Sequence, residues 1–186
     1  MNIANMVSIS RVLMVPVVVL VYYSPFSWSS YLAAAIFAIA SLTDWLDGFL
    51  ARKLNQTSPF GAFLDPVADK LLVVMTLVLL VANFTSPWFV LPVAIIIARE
   101  VFISALREWM ASCNARDLVK VGYIGKVKTT VQMIAIILLL LVQPDSPKIM
   151  TTAGYVLIYV SAFFSLWSMS SYIKSALPVL TGSKGP

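Results

Sequence analysis

The chain has no histidine among its 186 residues, and Cys113 is its only cysteine. The first absence removes a histidine general base, a histidine–metal site and a Ser-His-Asp triad. The second removes an intrachain disulfide and a cysteine-cluster zinc site. Charge is scarce too: 11% of residues are charged, against about 25% in a soluble domain. No polar stretch is long enough to form a large extramembrane domain. Any chemistry must therefore come from carboxylates, amines, guanidiniums or hydroxyls.

What is abundant is apolar side chain, at 60% of residues. A soluble fold of this size could not cover so much apolar surface, so the composition points to an all-α integral membrane protein. A span needs about 20 residues. Six segments of 31 residues fill the chain, which leaves room for six transmembrane helices and short loops. The apolar runs fall near 8–23, 29–52, 62–83, 88–110, 122–142 and 150–174. Residues 1–10 read as a short N-terminal interfacial helix leading into the first span. A signal peptide fits less well: Asn2 to Ser10 carry no positive charge, Arg11 lies inside the run, and no small-residue cleavage site follows. Residues 1–175 then make a single six-helix membrane domain, and 176–186 a disordered tail.

Loop charges orient the spans. Arg11, Arg52, Lys53, Arg116, Lys120, Lys126, Lys128, Lys174 and Lys184 fall on one side, and Lys148 alone falls on the other. The positive-inside rule places both termini and the loops after spans two and four in the cytoplasm. The net charge of +5 does not imply a nucleic-acid partner, because the bases lie beside apolar spans.

Four of the eight acidic residues, Asp44, Asp47, Asp65 and Asp69, fall within 26 residues at the end of span two and the start of span three. Acids near a membrane span need partners, and metal cations are the strongest candidates. Asp44 and Asp47 are spaced i, i+3 and Asp65 and Asp69 i, i+4, so each pair shares a helix face. A short loop makes the two helices antiparallel neighbours and brings the four carboxylates together. Gly48 and Gly61 leave room for a ligand or backbone to approach. Four carboxylates without histidine suit Mg²⁺ or Mn²⁺ rather than zinc. Two such ions can clamp a phosphoryl group during in-line displacement. The plainer reading has the aspartates capping helices or pairing with Arg52, Lys53 and Lys70, which accounts poorly for four of them in one hairpin.

The stretch Asp44-x2-Asp47-Gly48-x2-Ala51-Arg52-x8-Gly61-x3-Asp65-x3-Asp69 resembles the signature of the CDP-alcohol phosphotransferase family at each of its fixed positions. The resemblance implies a six-helix membrane enzyme, usually a homodimer, that displaces CMP from a CDP-linked lipid or alcohol using a second alcohol. It implies that Asp44, Asp47, Asp65 and Asp69 hold two Mg²⁺, with Mn²⁺ a possible substitute. Asp69 would also take the acceptor's hydroxyl proton. Gly48, Arg52 and Gly61, with Asp44 and Asp47, would line the site for the cytidine diphosphate group.

The acceptor is read from span four and the start of span five. Arg99 and Arg107 are eight residues apart, about 12 Å along a helix and about 80° around it. With Lys126 they would suit an acceptor carrying a phosphate. Alternatively, the arginines pair with Glu100 and Glu108 for structure, and Lys126 and Lys128 are only cytoplasmic anchors. The segments Ala98-Arg99-Glu100 to Leu106-Arg107-Glu108-Trp109, Gly125-Lys126-Val127-Lys128-Thr129 and Asn5-x2-Ser8-x2-Arg11 to Pro16 resemble one bacterial branch of the family. That branch takes CDP-diacylglycerol as donor and sn-glycerol 3-phosphate as acceptor, at the cytoplasmic face of the bacterial inner membrane. Inositol phosphate, serine or phosphatidylglycerol remain alternative acceptors within the family. A cation channel or transporter lined by the aspartates is the alternative outside it.

Overall fold

The computed structural model describes residues 3–54, 59–113, 115 and 123–181, and all regular structure among them is α-helical. Six helices follow in order: α1 (Ile3–Tyr22), α2 (Ser29–Leu54), α3 (Pro59–Asn83), α4 (Pro87–Ser112), α5 (Tyr123–Leu140) and α6 (Lys148–Leu180). Each apolar run in the sequence has become one helix. Over their described residues, Pro87–Ser112 and Lys148–Leu180 are long and apolar enough to cross a membrane. Ile9–Tyr22, Ser29–Thr43, Lys70–Asn83 and Val127–Leu140 are shorter apolar stretches. Every helix also turns large apolar side chains outward, among them Leu20, Leu42, Val78, Val101, Ile134 and Phe163. An exterior of that kind suits lipid rather than water.

Two boundaries differ from expectation. The interfacial segment and the first span are one uninterrupted helix, because nothing before Pro16 interrupts helical backbone: the segment holds neither glycine nor proline. Residues 176–180, expected to belong to the tail, are helical. α6 continues to Leu180 because its packing face continues, with Ala176 fully buried and Val179 partly so. Residues 182–186 of that tail lie outside the described residues.

The helices divide into two compact units, and α5 and α6 each contribute to both. One unit comprises Met1–Thr85 and Met133–Gly154. In it α1 packs against α2 and α3. Its interior holds Val15 and Val18 of α1, Ala33, Ala34, Phe37 and Ala40 of α2, and Leu72 and Leu80 of α3. The alanines allow helix backbones to come close, the usual solution where lipid removes the hydrophobic drive between helices. Gly154 marks a close approach: a Cβ there would stand 2.4 Å from Leu139 Cδ2.

Hydrogen bonds tie one end of this unit together. Asn83, ending α3, donates to the Tyr22 hydroxyl at the end of α1. Gln143, just after α5, donates through Nε2 to the Ser27 carbonyl ahead of α2 at 3.2 Å. α2 therefore starts at the end where α1 and α3 finish, which makes it antiparallel to both.

The second unit comprises Ser86–Gln132 and Tyr155–Pro186. α4 opens with Pro87 in its first turn, where a missing N–H costs nothing. The Ser86 carbonyl accepts from the N–H groups of Phe89 and Val90 at 2.8 and 3.0 Å. Its buried residues Phe89, Val93, Ile96, Arg99, Ile103, Leu106 and Met110 recur every three or four positions, so they form one face. Pro92 lies inside the helix and cannot donate to the Trp88 carbonyl one turn back. The Tyr159 hydroxyl of α6 makes that bond instead, at 2.6 Å.

Candidate active site

Asp44 and Asp47 lie on the helical backbone of α2, and Asp65 and Asp69 on that of α3. The side chains of these four, of Arg52 and of Lys126, and the surroundings of Gly48 and Gly61, lie outside the described residues. The backbone still fixes their level. At 1.5 Å per residue, Asp47 is about 27 Å beyond the start of α2 at Ser29, and Asp65 is about 27 Å back from the end of α3 at Asn83. The same measure puts Asp44 at about 22 Å and Asp69 at about 21 Å. Those two helix ends are the ones tied together through Tyr22 and the α1–α2 connection. The four positions thus fall in two matched levels of one antiparallel pair. Among the described residues there is no competing cluster of three acidic or cysteine side chains.

A second charged cluster lies in the other unit. Arg99 and Lys128 are both buried, and both bond to the same carboxylate oxygen, Oε1 of Glu100. The Arg99 contact is 3.3 Å. The second guanidinium nitrogen, Nη2, donates to Ser168 Oγ at 2.7 Å. The Ser168 hydroxyl in turn donates to the Ser165 carbonyl at 3.0 Å. Tyr172 lies under the guanidinium, its ring centroid 5.8 Å from Cζ, within cation–π range. Arg99 Nε and Ser165 Oγ are buried and have no hydrogen-bond partner among the described residues. One turn further along α5, Gln132 Oε1 accepts from Ser161 Oγ at 3.3 Å. Burying such groups is costly unless each finds a partner, so the cluster is a specified arrangement and not a solvated charge run.

The three expected acceptor residues thus have different settings. Arg99 is on the buried face of α4, Arg107 is exposed, and the side chain of Lys126 is outside the described residues. Arg107 follows directly on the buried Leu106, and one residue of helical rotation carries it off the packing face. The pairing of Arg99 with Glu100, weighed from the sequence as a structural alternative, is present. Lys128 and Ser168, not expected as site residues from the sequence, belong to this buried cluster. The available signal was Ser161, Ser165 and Ser168, spaced four and three apart in an apolar helix, a pattern that brings small polar side chains to one helix–helix contact.

Comparison with known proteins assigns the class. The chain belongs to the CDP-alcohol phosphatidyltransferase family, whose model matches residues 1–167. This is the family that the aspartate motif resembles. A protein of Sodalis glossinidius (strain morsitans) named CDP-diacylglycerol–glycerol-3-phosphate 3-phosphatidyltransferase is 51% identical over 176 residues, covering 95% of each chain. The protein of the same name from Escherichia coli (strain K12) is 51% identical with 94% of each chain covered. That of Salmonella choleraesuis (strain SC-B67) is 50% identical over the same share.

Proposed function

We propose that this chain transfers the phosphatidyl group of CDP-diacylglycerol to sn-glycerol 3-phosphate, giving phosphatidylglycerol phosphate and CMP: a phosphatidylglycerophosphate synthase. The observation that carries the reading is the near full-length match to relatives named for that activity. The acceptor's hydroxyl oxygen attacks the phosphorus that bears the diacylglycerol. A new P–O bond forms there, the bond to the CMP oxygen breaks, and CMP leaves with that electron pair. Asp69 takes the hydroxyl proton, a role open to a carboxylate within reach of the attacking hydroxyl.

Asp44, Asp47, Asp65 and Asp69 form the metal set of this reading, and their two matched levels support it. An all-oxygen donor set in a chain without histidine fits Mg²⁺, or Mn²⁺ in its place. Two such ions supply neutralisation of the diphosphate and of the charge that builds on departing CMP. Gly48, Arg52 and Gly61 hold the cytidine diphosphate group, with Asp44 and Asp47. Arg99, Arg107 and Lys126 take the acceptor phosphate, and the surplus of cations over carboxylates around Arg99 favours an anion.

Residues 1–175 act as one catalytic domain. All six helices cross the bacterial inner membrane, with both termini and the site facing the cytoplasm, and the enzyme works as a homodimer. The ties between the ends of α1 and α3, and between the end of α5 and the segment before α2, support that alternation of helix direction. The test is release of CMP by the purified protein from CDP-diacylglycerol, with each acceptor supplied in turn. Release that needs both Mg²⁺ and sn-glycerol 3-phosphate supports the reading. Turnover with inositol phosphate, serine or phosphatidylglycerol but not sn-glycerol 3-phosphate overturns the acceptor. Metal flux without CMP release would return the chain to the ion-path alternative.

A further inference from the structure

We infer that Ser168 of α6 is a positioning residue for acceptor binding, acting through Arg99; this rests on the proposed role of Arg99 in holding the acceptor phosphate. An arginine recognises phosphate through the direction of its planar fork, so its orientation matters as much as its charge. Three groups set that orientation. Glu100 accepts from Nη1 at 3.3 Å, Ser168 accepts from Nη2 at 2.7 Å, and the Tyr172 ring lies beneath at 5.8 Å.

Ser168 is suited to the task by its second bond. Its single hydroxyl proton is committed to the Ser165 carbonyl at 3.0 Å, one turn back on its own helix. The oxygen therefore presents only lone pairs to Arg99, so the bond has one sense and cannot flip. Glu100 alone could not fix the fork, because the same oxygen also serves Lys128. Both Arg99 and Ser168 are buried, so water cannot replace the hydroxyl without a place being made for it. The Nε of Arg99, buried and without a hydrogen-bond partner among the described residues, adds donor capacity beyond these two bonds.

The test compares Ser168→Ala and Ser168→Thr in the full-length protein, with Michaelis constants for both substrates from CMP release. Ser168→Ala should raise the KM for sn-glycerol 3-phosphate about tenfold, the scale of one hydrogen bond to a charged group. The KM for CDP-diacylglycerol should stay within about twofold, since the donor does not depend on this guanidinium. Ser168→Thr keeps the hydroxyl and should return the acceptor KM to near the wild-type value. An unchanged acceptor KM in Ser168→Ala, or equal rises for both substrates, overturns the assignment. If Ser168→Ala does not fold, Ser168→Cys, whose sulfur is a weak acceptor, is read in its place by the same criteria. Wild-type protein that releases no CMP with sn-glycerol 3-phosphate overturns the functional reading itself, a result distinct from wild-type turnover with an indifferent Ser168→Ala.

Discussion

Replacing Glu100 by Gln would leave two buried cations sharing a neutral amide. The wild-type geometry gives the scale. At the 3.3 Å separation of Arg99 and Glu100, opposite charges attract by about 5 kcal/mol for an effective dielectric constant near 20. Part of that gross attraction offsets desolvation, and breaking such a buried pair typically costs about 3–5 kcal/mol. Glu100→Gln should therefore lower stability by about 3 kcal/mol. Lys128→Met removes the other cation and leaves Arg99 paired with Glu100 and Ser168, so it should cost less. The double variant Glu100→Gln, Lys128→Met relieves the cation–cation repulsion and should be more stable than the sum of the singles predicts, by about 2 kcal/mol. The assay is unfolding in mixed micelles with increasing denaturing detergent, followed by tryptophan fluorescence; the chain has five tryptophans. Strict additivity of the two substitutions would refute the reasoning, because it would mean that Lys128 and Glu100 do not share a charge balance.

Three further outcomes are expected. Asp69→Asn should reduce turnover by at least about 100-fold, the lower range of general-base contributions, while CDP-diacylglycerol still binds in a filtration assay; near-normal turnover would remove Asp69 as the base. Tyr159→Phe should cost about 1–3 kcal/mol in the same unfolding assay, since the Trp88 carbonyl loses the donor that Pro92 cannot supply; no change would mean that this carbonyl finds another partner. Gly154→Ala should destabilise by about 1–3 kcal/mol through its clash with Leu139, and adding Leu139→Ala should recover part of the loss; a stable single variant would show that the two helices shift apart at little cost.

Helix number and approximate length were legible because lipid imposes a simple pattern, one apolar run per helix. The aspartate positions were legible for a related reason: charge is so rare in this chain that a cluster stands out. Partnerships across helices were not. Arg99 meets Ser168 across 69 positions of sequence, and Glu100 meets Lys128 across 28; spacing along one helix carries no information about which neighbour it faces. The same limit explains Lys128, counted from the sequence as a cytoplasmic anchor. It is buried against a carboxylate, and Arg11 is buried as well. The charge asymmetry that orients the helices therefore comes from bases outside their buried faces. For Arg99 and Arg107, helical geometry gave the angle between them but not which direction was buried, and the packing of α4 decided that only Arg99 is enclosed.

The bond from Tyr159 to the Trp88 carbonyl also bears on how the chain is assembled. α4 is made before α6, and its first turn cannot complete its own backbone bonding because of Pro92. In the bilayer an open carbonyl is costly, since no water is present to satisfy it. The Tyr159 hydroxyl, from a helix 71 residues further along the chain, is what closes that turn in the folded protein. A proline that looks like a flaw in one helix is thus made good by a hydroxyl from the last of the six helices.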